Sequence, residues 1–293
     1  MSKRTVEHMD RSMRPGSLPY IWKRISHDTG AMIGLCAVCT ILVLSLLSPI
    51  IFKHDYAVVN MMDKYAAPSW NHLFGADELG RDILSRVFFG ARYTLSIGFL
   101  SVAISASFGI VLGAIAGYFG GMTDSIIMRF LDVFQAFPQM LLAIALSAVL
   151  GTGLDKCILA LGISGIPNFA RMIRANIMTI RDTEYVEAAV SINCSKLRII
   201  SKHVVPNAIS PMIVQISMSI AGSGLAASSL SFIGLGVQPP KPEWGAMLAS
   251  ARNYIRDYPH MVIIPGIFIM ITVLSFNLIG DAIRDALDPK LKD

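Results

Sequence analysis

Charge is scarce in this sequence. Asp, Glu, Lys and Arg make up 15% of its 293 residues, whereas a soluble chain carries about 25%. That shortage excludes an ordinary solvated surface. With 54% hydrophobic residues and a mean hydropathy of +0.58, it points to a polytopic membrane protein. The small excess of base, +5, lies between apolar runs and not on one basic face with interleaved aromatics, which argues against nucleic acid as a partner. Cysteine is scarce too. Cys36 and Cys39 have CxxC spacing, but they sit in an apolar run with no second pair and no clustered histidines. They read as small hydrophobes, and no disulfide framework is expected. The first apolar run has a full span's length and no small-residue cleavage site, so no cleavable signal peptide is expected.

Catalytic motifs are also lacking. There is no HExxH, and no Gly-Lys pair occurs anywhere, so the phosphate-cradling loop of nucleotide hydrolases is excluded. Gly162-Ile163-Ser164-Gly165 has the GxSG form of intramembrane serine proteases. A nucleophilic Ser164 needs a base within hydrogen-bond reach, and none of the six histidines falls inside an apolar run; His260, at the mouth of the last run, comes nearest to qualifying. An intramembrane hydrolase built on Ser164 stands as the alternative to transport, and a membrane sensor as a third reading. Asp124, Arg129 and Asp132 flank an apolar run, where an Asp–Arg pair or snorkelling accounts for them.

What is present is a series of apolar runs. Gly30–Phe52 is long enough to cross a hydrocarbon core of about 30 Å. Further runs cover about Thr94–Phe119, Ala136–Leu150, Lys156–Met172 (the weakest, broken by Gly162, Gly165 and Pro167), Pro211–Leu235 and Met261–Gly280. The expected fold is therefore all-α with six transmembrane helices. With the N-terminus inside, the inner segments hold sixteen Lys and Arg and the outer segments nine, which places both termini in the cytoplasm. In the second run Gly109, Gly113, Gly117 and Gly121 recur every fourth residue, a face suited to close helix packing. In the fifth, Ser223 and Ser228 belong to a small, hydroxylated stretch that either packs tightly or lines a watery pathway.

The longest polar interruption of the second half is 182–210. Asp182 or Thr183 is placed to cap a helix with Glu184 and Glu187 in its first turn. Asn193 suits a left-handed turn after it. Ser195 is placed to cap a second helix that Pro206 would stop, and Ser210-Pro211 to open the next span. Two short helices between spans, facing the cytoplasm in a chain without an energy-converting motif, suggest a transport subunit driven by another chain.

Glu187-Ala188-Ala189, a turn at Asn193 and Pro206 downstream resemble the EAA loop of type I ABC importer permeases. Asn193 stands for the motif's glycine, His203 for its isoleucine and Val205 for its leucine. Phe74–Arg86 (FGADELGRDILSR), Gly117–Gly121 (GYFGG), Leu230–Pro240 with Trp244-Gly245, and Asn277–Asp281 leading to Asp285–Pro289 are similar to the C-type subunit of the dipeptide/oligopeptide/nickel branch. The resemblance implies a tail (1–29), a first span with an external loop (30–93), a permease core (94–281) containing the coupling loop 182–210, and a cytoplasmic tail (282–293). It further implies a multi-pass subunit of the bacterial inner membrane. That subunit would pair with a sibling permease and dock two ATPases, which bind ATP and magnesium, through Glu187, Ala188, Ala189, Asn193 and Pro206. An external binding protein would deliver a peptide, nickel or a metal chelate, and the chain itself would hold no cofactor and do no catalysis.

Overall fold

The computed structural model describes residues 18–52 and 55–287. The basic residues Lys3, Arg4, Arg11 and Arg14 of the tail, Lys53, and the stretch 288–293 with Lys290 and Lys292 lie outside the described residues. Within them the chain is all-α, apart from an isolated antiparallel bridge between Ala76 and Asp82.

A short helix, α1 (Leu18–His27), packs against the last helix of the chain. Then α2 (Thr29–Ile51) begins at Asp28, whose carboxylate accepts from the Ala31 amide at 2.7 Å. The apolar run that follows makes α2 a candidate span. Next comes α3 (Ile83–Phe119), capped by Asp82 through the Ser85 amide at 2.8 Å. At 1.5 Å per residue it is about 55 Å long, far more than a bilayer core requires. It starts well before the expected Thr94. Hydropathy reads Arg86 and Arg92 as loop, but both are accommodated in the helix by backbone carbonyls. Arg86 donates to Tyr56 O at 3.1 Å and Arg92 to Ser45 O at 2.6 and 2.9 Å.

Gly120 and Gly121 both have positive φ and end the long helix. Beyond them α4 (Gly121–Gln135) and α5 (Gln139–Leu150) meet at 83°, with Pro138 at the corner. The next helix, α6 (Leu154–Ile180), lies along α3 in the most extensive helix contact of the molecule. Gly109, Gly113 and Gly117 make that approach possible. A methyl group on Gly113 would lie 2.2 Å from Ala170 O, and one on Gly117 would lie 2.9 Å from Arg174 O. The partner of the glycine face is thus α6, and close van der Waals packing holds the pair. Gly121 does not belong to this face. It opens α4 with nothing within 4 Å of the position a Cβ would take.

The remaining spans are α10 (Ser210–Phe232) and α12 (His260–Leu287), joined through α11 (Trp244–Ala251). Trp244 is fully buried and donates to Val87 O at 2.8 Å; Glu243, also fully buried, caps α11 through the Ala246 amide at 2.9 Å and accepts from Thr94 at 3.2 Å. These bonds lock α11 against the first turns of α3.

Four described helices, α2, α3, α10 and α12, are long and apolar enough to cross a membrane, and the bent α4–α5 pair makes a fifth if taken as one span. The 27-residue α6 is long enough but too polar to join them, because it carries Asp155, Lys156, Arg171 and Arg174. Two of those charges are neutralised across the α4 contact. Arg174 holds Asp124 through two bonds of 2.5 Å, and Arg171 pairs with Asp132. Both acids therefore find partners on α6 and not in Arg129.

Candidate functional site: an exposed loop and a carboxamide-lined cavity

Between α6 and α10 run three short helices: α7 (Glu184–Ser191), α8 (Lys196–Ile199) and α9 (Val205–Ala208). Thr183 occupies the capping position of α7, but its hydroxyl donates to Ile180 O at 2.6 Å, so the cap expected from its side chain is not made. The other end closes as the sequence suggested. Asn193 has φ +58, its amide bonds Val190 O at 2.9 Å, and the Cys194 amide bonds Ala189 O at 3.1 Å. This is a Schellman closure with asparagine in the left-handed position.

Ser195 stands at the start of α8 but makes no side-chain capping bond. Pro206 does not stop the second helix. A π turn at Ile200–Val204, in which the Val205 amide reaches back to Ile200 O, widens the path ahead of the proline. The chain then continues through α9 and breaks at Ile209. Ser210 is the first residue of α10 and not its cap.

Val186 and Ala189 of α7, Ile199 of α8, and Val204 and Ala208 share one apolar cluster with Ile173 and Ile177 of α6 and Met212 of α10. Arg181, at the end of α6, donates to Gly117 O at 3.0 Å. The loop is therefore fixed to the helix bundle along its inner side. Its outer side exposes Glu187 and Ala188, together with Ile192 and Leu197, each 77% accessible. The two alanines have different placements: Ala189 is buried in that cluster, and Ala188 faces out. Asn193 and Pro206 are exposed as well. Exposed apolar side chains beside acids and bases are what a docking face needs.

Above this loop, α3, α5, α6 and α10 surround a cavity of about 310 Å³. Ser223 lines it beside Ser219 and Gln215, facing Gln139 and Asn168. Ser228 does not. It is buried against α11, donating to Gly224 O at 3.1 Å and lying 3.4 Å from Glu243. A second cavity of about 210 Å³ shares Gln139 and Asn168 with the first and adds Gln135 and Ser164. Ser164 is buried, its hydroxyl donating to Leu161 O at 2.9 Å. His260 lies elsewhere, against Gly75. Among the described residues no triad forms around Ser164, and the hydrolase alternative has no support. Sequence reasoning passed over the carboxamides, because single Gln and Asn residues at irregular spacing form no motif.

The Phe74–Arg86 stretch, noted only as a resemblance, is a folded clamp. The Asp77 carboxylate accepts from the amides of Leu79 and Arg81, at 2.9 and 3.0 Å, and from the Arg81 side chain at 2.7 Å. His72 bridges Asp82 at 2.9 Å and Asp63 at 3.3 Å. Burial lowers the His72 pKa, but the two carboxylates outweigh it and hold the imidazole above its ordinary value.

Residues 109–293 match the family described as binding-protein-dependent transport system inner membrane component, and residues 19–68 match the N-terminal transmembrane domain of oligopeptide transport permease C. The chain is an ABC importer permease subunit of the C type. Among its relatives, the dipeptide transport system permease protein DppC of Alkalihalophilus pseudofirmus is 40% identical over 271 residues, covering 92% of this chain and 89% of the relative. The glutathione transport system permease protein GsiD of Pectobacterium atrosepticum is 48% identical over 225 residues, covering 77% and 75%. A solved structure of the MetNI methionine ABC transporter in an inward-facing conformation shares the fold. It aligns with a TM-score of 0.56 at 18% identity over 69% of the permease and 96% of that chain. The permease is accordingly a multi-pass protein of the bacterial inner membrane, and a transport component rather than an enzyme.

Proposed function

We propose that this permease forms half of the membrane pathway of a peptide importer, paired with a sibling permease, driven by two ATPases and supplied by an external binding protein. The carrying observation is the outer side of 182–210, where Glu187, Ala188, Ile192 and Leu197 are exposed on a base anchored to α6. One continuous helix, α6, leads from Asn168 in the cavity wall to Ile180 at the root of the loop. An ATPase that shifts α7 on closing would move that wall with it, as packed helices transmit displacement by rigid-body shear. In this arrangement six spans cross the membrane, with α6 and the α4–α5 pair completing the set. Both termini and the loop face the ATPases, in keeping with the lysine and arginine excess of sixteen to nine. Lipid surrounds the outward faces of the spans. The dipeptide and glutathione relatives support a short peptide as substrate.

The test is Glu187→Lys in the assembled importer. ATPase co-purification and ATP-driven uptake should each fall at least tenfold while the amount of permease in the membrane is unchanged. Unaltered association and uptake would remove the coupling role from this loop.

A further inference from the structure

The two cavities meet at a chain of carboxamides. Gln135, in the last turn of α4, donates from Nε2 to Asn168 Oδ1 at 3.4 Å. Asn168 of α6 donates from Nδ2 to Gln139 Oε1, in the first turn of α5, at 3.1 Å. The relay bridges the 83° corner between α4 and α5. Its direction leaves at one end the Gln139 Nε2 group, a donor with no partner among the described residues, which lies 3.7 Å from the position of a Cβ on Gly165 in the wall of the larger cavity. From α10, Gln215 enters the same cavity. Its Nε2 donates to Ser219 Oγ at 3.2 Å, and its Oε1 is an acceptor with no partner among the described residues. The cavity is thus lined by a free amide donor from α5 and a free amide acceptor from α10.

None of its lining residues is charged, and none is His or Cys. Such a lining has little to offer a divalent cation, which needs carboxylate, imidazole or thiolate ligands in place of its water. A peptide group, in contrast, presents a planar C=O and N–H pointing in opposite directions. On leaving water it loses free energy unless both are paired. Primary amides carry a donor and an acceptor on one side chain and so complement that group without reading side-chain identity or charge. The volume is at the lower end of the range for small-ligand sites.

We propose that Gln139 and Gln215 form a main-chain-reading subsite in the permease wall. Gln139 Nε2 donates to a peptide carbonyl and Gln215 Oε1 accepts from a peptide N–H, while Asn168 and Gln135 hold Gln139 in place. This rests on the peptide-importer reading and adds a selection step inside the membrane, after release from the binding protein. Because the pair spans α5 and α10, a bound peptide group ties together two helices that the α6 lever can move apart.

The test uses the complete importer, with sibling permease, ATPases and binding protein, reconstituted in vesicles and supplied with trialanine. Gln139→Met and Gln215→Met keep side-chain length and remove the amide. Each should lower ATP-driven trialanine uptake about tenfold while co-purification of the subunits stays intact. Gln215→Glu, which keeps the acceptor, should retain at least half of the wild-type rate. If Gln139→Met fails to assemble through loss of its Asn168 bond, the two Gln215 variants carry the test alone. Assembled Met variants that import at the wild-type rate, or Gln215→Glu as slow as Gln215→Met, would overturn the subsite and leave the importer reading intact. A wild-type assembly that imports no trialanine with ATP would overturn the peptide-importer reading, and the subsite with it.

Discussion

Arg92 of α3 donates two hydrogen bonds, of 2.6 and 2.9 Å, to the Ser45 carbonyl of α2. That carbonyl would ordinarily bond the amide four residues on, but the residue there is Pro49, which has none. A charge that should exclude a residue from a span is thus used to satisfy a carbonyl that another residue has orphaned. Arg92→Met should destabilise the permease by about 2 kcal/mol, the scale of a charged hydrogen bond. Pro49→Ala restores the amide and should recover part of that loss in the Arg92→Met background. Thermal unfolding in detergent of the two single variants and the double would read the coupling, and additive losses would show that the two residues act independently.

The glycine face of α3 yields a contrast between neighbouring positions. In Gly113→Ala the new methyl group meets Ala170 O at 2.2 Å and Ile173 Cγ2 at 2.4 Å. Helix α6 must move away, at a cost of about 3 kcal/mol or failure to assemble. Gly121→Ala meets nothing within 4 Å and pays only for a left-handed φ of +53°, about 1 kcal/mol. Equal losses of thermal stability at the two sites would contradict the packing described for α3 and α6.

Much of this arrangement is legible in the chain itself. The apolar runs locate α2, α3, α10 and α12, and Asn193 marks the end of α7. What escapes is whatever depends on a partner from elsewhere in the sequence. The start of α3 is hidden because Arg86 and Arg92 count as polar until the carbonyls of Tyr56 and Ser45 are brought to them. The polarity of α6 falls into place only when Asp124 and Asp132 face its arginines. Gly121 keeps the four-residue register but falls beyond the helix end, since Gly120 before it has already turned the backbone left-handed. Pro206 reads as a stop because a π turn leaves no local signature.

The two serines singled out on α10 should separate cleanly. Ser223→Cys lines the 310 Å³ cavity and should react with a small, polar thiol reagent in the assembled permease. Ser228→Cys is buried between α10 and α11 and should stay unmodified until the protein is denatured. Modification is read by mass shift. Equal labelling of the two would mean that the face turned toward Glu243 is also wet.

His72 makes stability depend on pH in the alkaline direction. Its folded-state pKa is raised by Asp82 and Asp63 in spite of burial, so folding favours the protonated form. The stabilisation is fully present below the unfolded value of about 6.5 and is lost as pH rises through the raised folded value. The thermal midpoint of the wild-type permease should therefore fall between pH 6 and pH 9, and the fall should be smaller in His72→Gln. An identical slope in the variant would assign the pH dependence to other groups.

The 182–210 loop, for which we propose the coupling role, offers a substitution whose effect is local. Asn193 holds φ +58 so that the Cys194 amide can reach Ala189 O and seal the end of α7. Glycine adopts that conformation without a Cβ clash, so Asn193→Gly should lie within about 0.5 kcal/mol of the wild type and keep ATPase association. A β-branched side chain is poorly tolerated there, and Asn193→Val should cost about 2 kcal/mol. Because Val186 and Ala189 remain buried in the apolar cluster that also holds Ile173 and Ile177, that cost should appear as fraying of the turn and not as global unfolding. Hydrogen exchange at the Cys194 amide should then accelerate by more than tenfold while exchange along α6 is unchanged. If the proposed docking holds, ATPase retention should fall in parallel, since Ile192 beside the turn is among the most exposed apolar side chains of the loop. Faster exchange with full ATPase retention would place the docking contacts on the first turns of α7, around Glu187 and Ala188, and relieve Asn193 of any part in coupling.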